Sequence, residues 1–220
     1  TNVAIDRNFT LTNLTTGTIE VTNASTALTL NGAAASSTGA LTKTGSGTLV
    51  LVGNNAYSGV TTISAGTLKL GSAGSGANTP LGTVADGATL DLNGYTLLTA
   101  EALTISGAGY SSAGALTNSS ATDVTYSGLI TLGAAATIKA SSGNIVLSNA
   151  GTITGAGRTL TLDGTATASS LASIVGTTTG GITKNGTGTW TLSGASTYTG
   201  ATAINNGTLK LGAAGGSTNT

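Results

Sequence analysis

The 220-residue chain contains no histidine, no cysteine and no methionine, and only one proline, one tryptophan and one phenylalanine. Without cysteine there is no disulfide framework and no thiolate nucleophile. Without histidine there is no imidazole base, and no zinc site of the usual kind. Charge is also scarce. Seven basic and seven acidic side chains cancel, and charged residues make 6% of the chain against roughly 25% in an average globular protein. Seven dispersed positive charges cannot form the basic stripe that releases counterions from phosphates, so nucleic acid is excluded as a partner. Gly, Thr, Ser and Asn interrupt every apolar run, which excludes membrane insertion of this segment as a helix. The start shows neither a charged n-region nor an apolar h-region, and reads as a mature region or an excised fragment.

What the chain has is small residues. Glycine supplies 35 positions and threonine 46. Such composition often marks flexible, unfolded chains. Here, however, the apolar residues alternate strictly with polar ones, which a linker does not require. Leu28-Thr-Leu30, Leu49-Val-Leu51, Leu68-Lys-Leu70, Leu90-Asp-Leu92, Leu160-Thr-Leu162, Trp190-Thr-Leu192 and Leu209-Lys-Leu211 place Leu on one face and Thr, Lys or Asp on the other. Helix is disfavoured, because Thr, Gly and Val are poor helix formers and no 3.6-residue period is sustained.

The chain also repeats itself. Residues 41–74 and 182–215 align without gaps at an offset of 141, with 19 of 34 positions identical. Most strand-like pieces start about 20 residues apart, a solenoid period. Ile130, Ile138, Ile145, Ile153 and Leu160 follow at steps of about seven or eight, the length of a strand plus a turn. Three such steps predict one coil of about 22 residues. Asn31-Gly32, Asp86-Gly87, Asn93-Gly94, Asp163-Gly164, Asn185-Gly186 and Asn206-Gly207 supply corners where φ > 0 is needed. An antiparallel sandwich is the rival, since Asn-Gly also closes hairpins. Stacked coils better explain why equivalent positions hold similar residues. The reading is therefore all-β: a single parallel β-helix over residues 1–220, about three strands per coil. Its expected inward residues are Leu49, Leu51, Leu68, Leu70, Leu90, Leu92, Leu160, Leu162, Leu209 and Leu211. About ten coils at ~4.8 Å make a rod of roughly 50 Å. Asn219 and Thr220 fall on Asn78 and Thr79 of the first repeat, so the chain is expected to be part of a longer array.

Thr42-Lys-Thr-Gly-Ser-Gly-Thr48, Tyr57-Ser-Gly59 and Gly66-Thr-Leu-Lys-Leu-Gly71, echoed at Thr183–Gly212, resemble the autotransporter-associated β-strand repeat, also called the passenger-associated transport repeat. The two copies cover about a third of the chain. The resemblance implies a right-handed parallel β-helix from a large secreted or surface protein of Gram-negative or related bacteria. It implies a stalk or adhesin region and no catalytic residues. A translocator barrel is not seen in this sequence.

The remaining candidates are weighed against plainer roles. Asp86 and Asp91 are the closest acidic pair across a turn. Asp86 reads as a corner and Asp91 as solvent-facing, which does not make the fixed carboxyl pair of a glycosidase. No calcium loop of the D-x-D-x-D-G or G-G-x-G-x-D kind occurs. Gly45-Ser-Gly47 and Gly186-Thr-Gly188 lack the Lys-Ser/Thr of a phosphate loop and read as turns leading into strands. Lys69 and Lys210 read as solvated outward positions that discourage edge pairing. Tyr57 and Tyr198 read as packing under a turn, and Trp190 as core. The outward positions Thr29, Val50, Lys69, Asp91, Thr161, Thr191 and Lys210, aligned as one row, are broken by charge, which argues against an ice-binding threonine ladder. No catalytic, cofactor-binding or metal-ligating residue is assigned, and no cofactor is expected. The expected function is a rigid stalk or filament-forming element of a bacterial surface or extracellular protein. An adhesin passenger binding a glycan or host surface is the alternative. The expected partners are neighbouring coils or identical subunits stacked end to end.

Overall fold

The computed structural model describes residues 2–72, 79–97 and 99–212. The closing residues of both repeats, 73–74 and 213–215, lie outside the described residues, as do Asn78, Asn219 and Thr220. The fold is a β-solenoid of about nine turns, with about 22 residues per turn. Every strand pair is parallel, which rules out the sandwich. Among the described residues the one helical element is a short 3-10 turn at Tyr110–Ser112.

Numbered along the chain, the strands stack on three faces. The first face holds β2 (Thr16–Glu20), β4 (Ala40–Thr44), β6 (Thr61–Ile63), β8 (Leu81–Val84) and β10 (Leu103–Gly107). It continues through the first part of β13 (Ile130–Ala140) to β15 (Thr152–Ile153) and β18 (Ile174–Val175). The second face holds β1 (Val3–Ile5), β3 (Ala27–Leu30), β5 (Thr48–Leu51), β7 (Gly66–Leu70), β9 (Ala88–Asp91) and β11 (Leu116–Asn118). It runs on through the second part of β13 to β16 (Leu160–Gly164), β19 (Ile182–Lys184) and β21 (Thr202–Ile204). The third face holds β12 (Val124–Tyr126), β14 (Ile145–Leu147), β17 (Ser169–Leu171), β20 (Thr189–Leu192) and β22 (Thr208–Leu211).

Strand β13 differs from the expectation of separate strands at Ile130 and Ile138. It is one 11-residue strand that rounds a corner. Ile130–Leu132 pair with the first face, and Ile138–Ala140 with the second. Gly133, followed by three alanines, keeps that bend free of bulk.

The core is a set of rows, one residue per coil. Leu28, Leu49, Leu68, Leu90, Leu116, Ile138 and Leu162 are stacked in register on the second face. Period-two alternation drives this, because a slip of one residue would expose every Leu in the row. Eight of the ten expected inward leucines are buried: Leu49, Leu51, Leu68, Leu70, Leu90, Leu92, Leu160 and Leu162. Leu209 is only partly buried and Leu211 is 60% exposed. Their strand, β22, stacks on β20 alone among the described residues, so no further coil covers them. Trp190 is core, with Nε1 donating to the Asp163 carbonyl at 3.1 Å.

The two repeats have matching strands. β4, β5, β6 and β7 in the first correspond to β19, β20, β21 and β22 in the second. They do not use the same faces. The first repeat alternates between the first and second faces, the second repeat between the second and third. An offset of 141 residues is six coils and a third, so the same pattern reappears rotated by one face.

Candidate functional site

The repeats place a lysine where the alternation demands an apolar residue. Leu41 points inward, so Lys43, two residues on, does too, and it is fully buried between Ile19 and Ile63 of the adjacent coils. Lys184 is its equivalent, buried between Leu162 and Ile204. Lys43 Nζ donates to the carbonyls of Thr44 at 2.7 Å, Gly45 at 2.8 Å and, on the next coil, Ala65 at 3.1 Å. Lys184 Nζ donates to the carbonyls of Asn185, Gly186 at 2.8 Å and Asn206 at 3.3 Å. An ammonium has three donors and no acceptor, so three converging carbonyls satisfy it fully. Each lysine therefore staples one turn to the turn above it. Burial pulls the Lys43 pKa down to about 8, while Glu20 works the other way. Burial also lowers that of Lys184, opposed by Asp163. The alternation from Leu41 carried this signal, but lysine is so rarely buried that sequence reasoning passed over it.

A second feature recurs. Tyr57 is buried and its hydroxyl is 2.7 Å from Thr61 Oγ1; Tyr198 is the same distance from Thr202 Oγ1. Burial pushes the Tyr57 phenol up to about 12, against the hydrogen bond to Thr61. These rings pack under turns and form no platform for a sugar.

Of the two acidic candidates, Asp91 holds coils together. Asp91 is not solvent-facing: it is 4% exposed. Its Oδ2 lies 3.2 Å from Lys69 Nζ and accepts from Ser119 Oγ at 2.6 Å. Its Oδ1 accepts from the backbone N–H groups of Asn93 and Ser119 at 2.9 and 3.0 Å. The residue does point outward, but Lys69 and Ser119 on the flanking coils close over it. Asp86 sits at a corner before Gly87, whose φ is 75°. Of the six corner glycines expected from Asn-Gly and Asp-Gly pairs, Gly32 alone lacks a positive φ; it is tight because a Cβ would stand 2.1 Å from the Arg7 carbonyl oxygen. Among the described residues, no three Asp or Glu side chains gather as a metal site, and no helix is long and apolar enough to cross a membrane.

The outward positions read as one row fall on two faces. Lys69, Asp91, Thr117, Lys139 and Asp163 are neighbours on the second face, with a second ion pair at 3.7 Å between Lys139 and Asp163. Thr191 and Lys210 stack on the third. The longest threonine row lies instead on the first face, where Thr18, Thr42, Thr62, Thr83, Thr104, Thr131 and Thr154 follow one another coil by coil. Coils in this row differ from 20 to 27 residues, which hides it from a fixed-period alignment.

The stacked parallel coils and the twice-used staple define a repeat-bearing β-solenoid. The passenger-associated-transport-repeat family matches residues 41–70 and 182–211, so the chain carries two copies of that repeat. It is also similar to the Adhesin BmaC autotransporter of Brucella suis biovar 1 (strain 1330), at 36% identity over 212 residues, or 94% of this chain. The chain spans 5% of that relative's length. No solved structure matches it.

Proposed function

We propose that the chain is a non-catalytic, rod-forming part of a bacterial surface passenger, displayed outside the outer membrane. The observation that carries this is the unbroken stacking of inward rows. Coil after coil continues the apolar rows, and the two lysines that interrupt them join adjacent coils. Such a rod transmits length and stiffness and needs no cleft. Nine coils at ~4.8 Å each give about 43 Å of rod. Small-angle scattering of the isolated chain tests this: an elongated particle of that length is expected, and a compact sphere would refute the rod.

The rod is further proposed to join other coils at its ends, either coils of the same long chain or identical subunits stacked head to tail. Val3 and Ile5 are 49% and 40% exposed on the unpaired edge of β1. Beside Ile5 an apolar hollow of about 330 Å³ is lined by residues including Phe9, Leu11, Leu28 and Leu30. Light scattering that grows with concentration supports stacking of subunits. A monodisperse monomer would restrict the rod to contiguous coils.

Adhesion is the second reading, favoured by the name of the relative. Binding of the chain to immobilised glycans or host-cell surface, measured against a scrambled-face variant, tests it; no binding would leave the rod as the whole role of this segment.

A further inference from the structure

Four Asn-Gly pairs mark corners of the solenoid, and the structure treats their side chains differently. The Asn31 carboxamide donates to Asp6 Oδ1 at 2.6 Å, and that of Asn93 to the Leu70 carbonyl at 2.8 Å. Asn185 Oδ1 accepts from Asn205 Nδ2 at 2.9 Å. Asn206 instead turns onto its own backbone: Gly207 N–H donates to Asn206 Oδ1 at 2.8 Å. That contact keeps the Asn206 carboxamide on the amide of its own following residue instead of on a neighbouring coil. Asn206 is exposed, and the equivalent corner in the first repeat, at Ala65, stays half-exposed with a coil on either side.

We propose that Asn206 is a site of spontaneous deamidation that rewires the Lys184 staple. The Gly207 amide loses its proton to water or hydroxide and its nitrogen attacks Asn206 Cγ. The Cγ–Nδ2 bond breaks and ammonia leaves, closing a succinimide. Water then opens one of the two imide C–N bonds. Opening at Cγ gives aspartate. Opening at the main-chain carbonyl carbon gives isoaspartate, in which that carbonyl becomes a free carboxylate. The oxygen concerned is the one Lys184 Nζ touches at 3.3 Å. The neutral third contact of the staple thereby becomes an ion pair, in the second repeat only, since Ala65 cannot react. Asp163 also accepts from its following Gly164 N–H, at 2.7 Å. Its side chain is a carboxylate beside Lys139, a poor electrophile with no ammonia to lose.

The test is to hold the folded 220-residue chain at mildly alkaline pH and locate the mass gain of an NH-for-O exchange by electron-transfer fragmentation, which separates aspartate from isoaspartate. Conversion at Asn206 is expected to run about tenfold faster than at Asn31, Asn93 or Asn185, because each of those carboxamides must first break a hydrogen bond to a neighbouring coil. Asn206→Ala should abolish that product. In the converted protein, NMR titration of Lys184 should move upward while Lys43 stays fixed. Equal rates at the four sites overturn the proposal. So does a persistently intact Asn206 over a period in which an unfolded peptide of the same sequence converts, or conversion with no change at Lys184.

Discussion

Lys43 and Lys184, 141 residues apart, each bind two carbonyls of their own turn and one of the turn on the next coil. Replacing either with Met keeps the apolar stem and removes the donors. Three turn carbonyls then lose their partner. We expect Lys43→Met and Lys184→Met each to lower stability at neutral pH by about 1–3 kcal/mol, the range for losing hydrogen bonds to a charged group. Urea unfolding followed by circular dichroism measures it. Unchanged midpoints would mean that water reaches the turn and replaces the ammonium.

The same lysines set a pH dependence whose sign follows from their depressed pKa. The folded state releases the Lys43 proton near pH 8, while the unfolded chain keeps it to the ordinary value of 10.5. Between those limits the unfolded state holds more protons, so stability rises with pH. Lys184 contributes in the same direction. Tyr57, with its pKa raised to about 12, opposes this above pH 10. The comparison is therefore wild type against the Lys43→Met/Lys184→Met double variant, which shares every other group. The gap in urea midpoint should widen from pH 8 to pH 10. A gap that narrows would show that the carbonyl contacts outweigh desolvation and hold the lysines charged.

These lysines also mark where the sequence stopped being readable. The rows through Leu49, Leu68 and Leu90 were legible because alternation and a recurrent motif leave one way to bury leucine. Trp190 was legible because it replaces Leu49 in that motif. Lys43 was not, since alternation from Leu41 turned it inward but lysine is rarely buried, and its third carbonyl, from Ala65, comes only with the next coil. The face used by each repeat was hidden for a related reason. Coil lengths vary at the corners, so Lys69 and Lys210 share a motif position yet stand on different faces. Asp91 looks solvated between two leucines until Ser119, 28 residues on, folds back over it.

Asp91 and Lys69 should differ sharply when removed. Asp91→Ala strands the N–H groups of Asn93 and Ser119 and the Ser119 hydroxyl. A loss of about 2–3 kcal/mol is expected, within the range for hydrogen bonds to a charged group. Lys69 is far more exposed, at 32% for its side chain. Lys69→Met should cost no more than about 1 kcal/mol, as for surface ion pairs. A double-mutant cycle by urea denaturation would show the ion pair to be a small part of the Asp91 effect. Equal losses for the two single variants would instead make the pair the main bond.

Two corner glycines separate backbone strain from coil-to-coil crowding. Gly66 has φ 64°, and a Cβ there would lie 2.5 Å from the carbonyl oxygens of both Gly45 and Gly47 on the coil below. Gly87 has φ 75°, with nothing within 4 Å of the same point. Both alanine variants carry the left-handed backbone cost of roughly 1–2 kcal/mol. Only Gly66→Ala must also push two coils apart, against main-chain atoms that cannot rotate away. Overpacking of that kind adds about 1–3 kcal/mol. Thermal and urea melts should therefore rank Gly66→Ala well below Gly87→Ala, with Gly207→Ala, facing the Gly186 and Gly188 carbonyls at 2.5 and 2.4 Å, falling beside the former. If all three melted together, the backbone conformation alone would set the cost. The coils would then have slack at their corners, and the turn-on-turn contact that the lysine staples secure would not be tight.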